Sequence, residues 1–104
     1  MARSYYSEYV KHAMRYYSRF ALNSGSEKPK FKSEADKRNW YACDGVLNTL
    51  PSESRTMLIT IYADGDTIPD NVYQYALSHK MEQDAIWNAI YDIERKIAKR
   101  RGLI

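Results

Sequence analysis

Residues 69–102 read PDNVYQYALSHKMEQDAIWNAIYDIERKIAKRRG, and the fold turns on this stretch. Ile86, Ile90, Ile93 and Ile97 recur at i, i+4, i+7 and i+11, one face of an α-helix. Glu82 and Asp84 suit the positive N-terminal end of such a helix. Lys99, Arg100 and Arg101 suit its negative end, and Gly102 supplies the residue past the stop. The pattern predicts a helix over 82–101. Ahead of it, Val72, Tyr73, Ala76 and Leu77 share a helical face, and Pro69 is tolerated in a first turn. A shorter helix over 69–78 follows from this, with a turn at His79-Lys80-Met81. A short helix, a tight turn and a longer amphipathic helix have the spacing of a helix-turn-helix. An ordinary helical hairpin shares that spacing.

Working towards the N-terminus, DGDT at 64–67 is a helix break. Leu58, Ile61 and Tyr62 mark a helix over 52–63, with Ser52 as its expected cap. Pro51 stops a preceding helix that begins at Ser33. In that helix Trp40, Cys43, Leu47 and Leu50 make the apolar stripe, and Ser33 with Asp36 resembles a capping box. Gly45 costs that helix about 1 kcal/mol relative to Ala, which signals a close helix contact. NSGSEKPKFK at 23–32 reads as a linker. Residues 1–22 form an N-terminal segment with a helix over 4–20. Tyr6, Tyr9, Val10, Ala13, Tyr17 and Phe20 are its expected packing face. Tyr5, His12 and Tyr16 lie off that face, and Lys11, Arg15 and Arg19 form a polar side. Five helices without a strand candidate predict a single all-α domain, with residues 33–104 as its core.

The chain has 104 residues and a net charge of +3. Residues 1–32 carry seven Lys/Arg and two acids, residues 33–94 four and eleven, and residues 95–104 five and none. Basic ends thus flank an acidic middle, and they either meet nucleic-acid phosphates or pair with that middle. No apolar run is long enough to span a membrane. MARSYYSEYV lacks the apolar region of a secretory signal. A single cysteine, Cys43, points to a reducing, cytoplasmic setting and reads as a small buried hydrophobe. His12 and His79 have no metal-ligand partners at suitable spacing. Asp64, Asp66 and Asp70 miss the calcium-loop pattern, since Tyr75 stands where its Glu belongs. These absences predict no cofactor, no metal and no enzymatic activity. Ten tyrosines are the compositional oddity. Tyrosine suits half-buried and interface positions.

Several features fall in a familiar order. Leu50-Pro51 opens a helix with Glu53 and Arg55, and Leu58 and Tyr62 follow. A polar break leads to Val72 and Ala76, then Met81 at an apolar turn position, then the four isoleucines and the basic tail ERKIAKRRGL. From Leu50 to Leu103 the chain resembles the fourth region of bacterial sigma factors. With FKSEADKRNWYACDGVLNTLP in front, it is similar to small phage and mobile-element proteins. These include the RinA and ArpU types of phage transcriptional regulator. The resemblance implies a C-terminal helix-turn-helix within about 69–101, with duplex DNA as partner. Gln83 and Asn88 are then the expected base readers, since each amide both donates and accepts. Lys80, Arg95 and Lys99 are the expected phosphate contacts. This chain departs from the family in placing Glu82 and Asp84 on the same exposed end. The alternative is a protein-interaction module. There Trp87 and Tyr91, four apart and off the isoleucine stripe, join Tyr5 and Tyr16 in an interface with RNA polymerase or a second copy.

Overall fold

The structure is a computed structural model that describes residues 4–23 and 29–104. These residues form an all-α fold of five helices: α1 Ser4–Asn23, α2 Glu34–Leu47, α3 Ser52–Ala63, α4 Ile68–His79 and α5 Gln83–Arg100. The first helix is the hub. α1 packs on α3, α2 and α5, while α4 packs on α3 and α5. The core is lined by Val10 and Met14 of α1, Cys43 and Leu47 of α2, Leu58 and Tyr62 of α3, and Val72 of α4. Ile86, Ile90, Ile93 and Ile97 complete it from α5, all of them buried as their spacing required. Burying one such side chain contributes about 1.5–3 kcal/mol.

The packing face of α1 is shifted from expectation. Tyr6, Val10, Met14 and Tyr17 are buried, whereas Tyr9 is 41% exposed and Phe20 only half-buried. A helix facing three neighbours buries a wide arc, and its centre lies one position round from the predicted stripe. Tyr9, Ala13, Tyr16 and Phe20, at i, i+4, i+7 and i+11, form a second row beside it. In α4 the predicted face is likewise rotated. Ile68, Val72 and Ala76 are buried at i, i+4 and i+8, and Tyr73 and Leu77 turn outward.

Helix ends follow their caps. Ser33 accepts the Asp36 N–H on its hydroxyl at 3.1 Å, as its position predicted. Thr67 caps α4 through a 3.3 Å bond from the Asp70 N–H, so α4 starts ahead of Pro69. Ser52 is not the cap of α3. Pro51 occupies that position without a side-chain cap bond, and its carbonyl accepts the Arg55 N–H at 3.0 Å. α2 stops at Leu47 because Thr49 and Leu50 close tighter turns onto Val46 and Leu47. α1 runs on to Asn23, whose amide donates to the Arg19 carbonyl at 2.8 Å. Gly102, at φ +76°, ends α5, with the Leu103 N–H reaching back to the Ala98 carbonyl at 2.8 Å.

Two cations on the polar side of α1 reach across to the end of α3. The Arg15 guanidinium donates to the carbonyls of Tyr62 at 3.3 Å, Asp64 at 2.7 Å, and Asp66. Arg19 Nε donates to the Ala63 carbonyl at 3.2 Å. From the other side, Asn71 Nδ2 donates to the Ile61 carbonyl at 2.8 Å. Two guanidinium groups and an amide thus satisfy the open carbonyl end of α3.

Candidate nucleic-acid interface

Three residues, Lys80 to Glu82, connect α4 to α5. Lys80 adopts the left-handed conformation, at φ 54° and ψ 47°. The Met81 N–H then bonds the Ala76 carbonyl at 3.0 Å, which seals the end of α4 and fixes the direction in which α5 departs. Lys80, Gln83 and Asn88 are all exposed around the N-terminal half of α5. Gln83 and Asn88 stand about 8 Å apart along the helix axis at 1.5 Å per residue. Glu82 and Asp84 are exposed at the same end.

Arg95 and Lys99 lie further along α5, in one row with Asp84, Asn88 and Asp92. From Gln83 to Lys99 the helix rises about 24 Å. The structure therefore gathers Lys80, Gln83 and Asn88 at one end and keeps Arg95 and Lys99 away from them. Asp92 pairs with Arg95 at 3.2 Å and with Lys96 at 2.9 Å. Hydrogen bonding from Lys96, then the charges of Lys96 and Arg95, hold the Asp92 carboxyl below its usual range. Exposed pairs of this kind contribute roughly 0–1 kcal/mol and leave the cations accessible.

The rest of the basic tail is used within the fold. Arg101 donates to Asn39 Oδ1 and, at 3.0 Å, to the Tyr9 hydroxyl, with its guanidinium 5.8 Å from the Tyr9 ring centre. Arg100 lies across Gly45, where a Cβ would collide with its guanidinium. The neighbour of Gly45 is thus the movable end of an α5 side chain, not a close-packed helix backbone.

Trp87 is half-buried against the core and stacks on Tyr91, with ring centres 5.7 Å apart at 27°. Tyr16 is exposed, 46% open, and its hydroxyl donates to the Lys30 carbonyl at 3.4 Å. It belongs to the α1–α2 side and does not join Trp87 and Tyr91. Tyr5 lies in α1, with its side chain outside the described residues.

Three features escaped the sequence reading. Tyr73, Leu77 and Met81 form an exposed apolar row that leads to Glu82 and Asp84. Their spacing of four was legible, but the sequence puts Tyr73 and Leu77 on one packing face with Val72 and Ala76. A cleft opens between α1, α2 and residues 30–32. Glu94 is buried, accepting the Ser7 hydroxyl at 2.9 Å and the Tyr62 hydroxyl at 2.8 Å. Its signal was plain, because an acid four residues after Ile90 sits on the isoleucine face.

Cys43 is fully buried, and desolvation, with the nearby Asp44 charge, pushes its thiol up to about 12. A thiol so placed is not a nucleophile at neutral pH. Among the described residues no group of three or more His, Cys, Asp or Glu is placed to hold a metal ion. Among them, too, no helix is long and apolar enough to cross a membrane. No family model, curated protein or solved structure matches the chain.

Proposed function

We propose that this chain is a small non-enzymatic DNA-binding regulator of the sigma-like helix-turn-helix kind, as its resemblance to phage and mobile-element regulators implies. α4 supports, and the first turns of α5 enter the major groove of duplex DNA. The observation that carries this reading is the three-residue connection sealed by left-handed Lys80. It leaves Gln83 and Asn88 exposed in the first two turns of α5, with Lys80 exposed just ahead of that helix. A major groove about 12 Å wide admits that end of the helix. Gln83 and Asn88 then read base edges, and Lys80 meets a phosphate. Arg95 and Lys99, beyond the groove, reach the flanking backbone. Titration against duplex DNA at several salt concentrations tests this. The expected log K falls linearly with log salt, by about 0.9 per phosphate neutralised. Lys80→Gln lowers that slope by about one. No binding at low salt overturns the reading.

One observation favours a second reading, a protein-interaction module that dimerises or binds a partner such as RNA polymerase. The exposed row Tyr73, Leu77 and Met81 ends among the acids Glu82 and Asp84. Phosphates are repelled there, whereas a protein surface is not. Light scattering across a concentration series, with Leu77→Lys alongside, separates the self-association form. A dimer that Leu77→Lys dissociates supports it, and a monomer throughout removes it.

A further inference from the structure

The cleft on the α1–α2 side lies apart from α4 and the start of α5. Its volume is about 370 Å³. Ligand pockets run from about 300 to 1,000 Å³, so this one suits a molecule of one or two rings. Tyr9 and Tyr16 of α1 and Trp40 of α2 supply its aromatic lining, over Ala13. Tyr9, Ala13 and Tyr16 come from the second row of α1, at the edge of the core.

Neighbouring contacts hold the walls. Trp40 packs edge-on against Phe20 at 6.3 Å and Phe31 at 6.2 Å. The Tyr9 hydroxyl is tied to Asn39 at 3.2 Å and to Arg101 at 3.0 Å. Tyr16 bonds the Lys30 carbonyl, which anchors residues 30–32 beside the opening. Lys30 and Lys32, on either side of Phe31, both line the cleft. Among the described residues, the basic side chains of the lining are these two lysines and His12, and its one carboxylate is Asp36. Aromatic faces attract a planar ring, and the excess of cations favours an acid group on it.

We propose that this cleft binds a small planar aromatic anion, with its ring against Tyr9, Tyr16 and Trp40 and its acid group at Lys30 and Lys32. This assignment goes beyond the DNA reading and does not depend on it. The test titrates 2-naphthoate into the full chain and follows backbone amides by NMR, with uncharged 2-naphthamide as control. Saturable shifts at residues 9–16 and 30–40, with naphthoate the tighter binder, are expected. The double variant Lys30→Gln/Lys32→Gln weakens naphthoate by about threefold or more and leaves naphthamide unchanged. Ala13→Leu, which fills the cleft, abolishes binding of both. Should that variant fail to fold, the surface lysine pair still decides. Equal affinity for the two probes, shifts centred on Tyr73 to Met81, or no saturable shift overturns the proposal.

Discussion

At the scale of single residues, Glu94 carries more of the architecture than its place in an acidic stretch suggests. Its two carboxyl oxygens accept from Ser7 on α1 and Tyr62 on α3, so one side chain ties three helices together. Burying such a group without partners costs several kcal/mol, which fixes the mutual register of these helices. Glu94→Ala strands both hydroxyls and opens a cavity. It is expected to cost about 3 kcal/mol, read as a lower urea midpoint at unchanged slope. Glu94→Gln costs less, because one hydroxyl still donates to the amide oxygen and the other rotates to accept from the amide nitrogen. An alanine variant as stable as the parent would show that the bonds contribute nothing net. Lys80 presents the opposite case. Its left-handed backbone is unfavourable for a side chain with a Cβ. Lys80→Gly therefore raises stability by about 1 kcal/mol while weakening any phosphate contact. Thermal unfolding and DNA titration of that one variant move in opposite directions if both roles hold.

At the scale of elements, the decisive contact is between α1 and the carbonyl end of α3. Arg15 and Arg19 close that end from outside, and Asn71 closes it from α4. Arg15→Ala is expected to cost about 1–3 kcal/mol, since several carbonyls lose a charged donor at once. Hydrogen exchange should then quicken first at residues 64–67 and at the start of α4. Uniform loss of protection across the chain would show instead that the contact supports the whole fold rather than this corner. The helices themselves were legible, because apolar spacing is a property of each segment alone. The isoleucine row of α5 and the Ser33 cap behave as their positions required. Arg15 was not legible as a cap. Its partners are backbone carbonyls about fifty positions away, and carbonyls leave no mark in sequence. Met14 displaced Tyr9 from the core for a related reason. The centre of α1's buried arc depends on where three other helices sit. The cleft followed from the same shift, since Tyr9 joined Tyr16, which lies off the expected face, only once Met14 had taken the core.

At the scale of the whole molecule, burial sorts the nine tyrosines whose side chains are described. Tyr9, Tyr16, Tyr41, Tyr73 and Tyr91 are exposed, Tyr75 is half-buried against the core, and Tyr6, Tyr17 and Tyr62 lie within it. Tyr17 and Tyr62, together with Cys43, give the fold a distinct alkaline response. Burial, and the neighbouring carboxyl of Asp44, push the Tyr17 phenol up, and its hydroxyl donates to Asp44 at 2.7 Å. Burial and Glu94 push Tyr62 well above its ordinary value. Burial pushes Cys43 up to about 12. In the unfolded chain a thiol ionises near pH 8.5 and a phenol near pH 10. Between those values and the raised native ones, the unfolded chain has lost protons that the native chain keeps. The native state then binds more protons, so stability falls as pH rises, by about 1.4 kcal/mol per unit for each group in its window. The fall begins near pH 8.5 with Cys43 and steepens near pH 10 as both phenols join. Urea midpoints measured from pH 7 to 11 should trace this two-stage decline. Cys43→Ala, which removes the thiol from both states, should delete the first stage and leave the second. A midpoint flat to pH 11 would mean that these three groups meet solvent in the native protein, and that the core shared by α1, α2 and α3 is open.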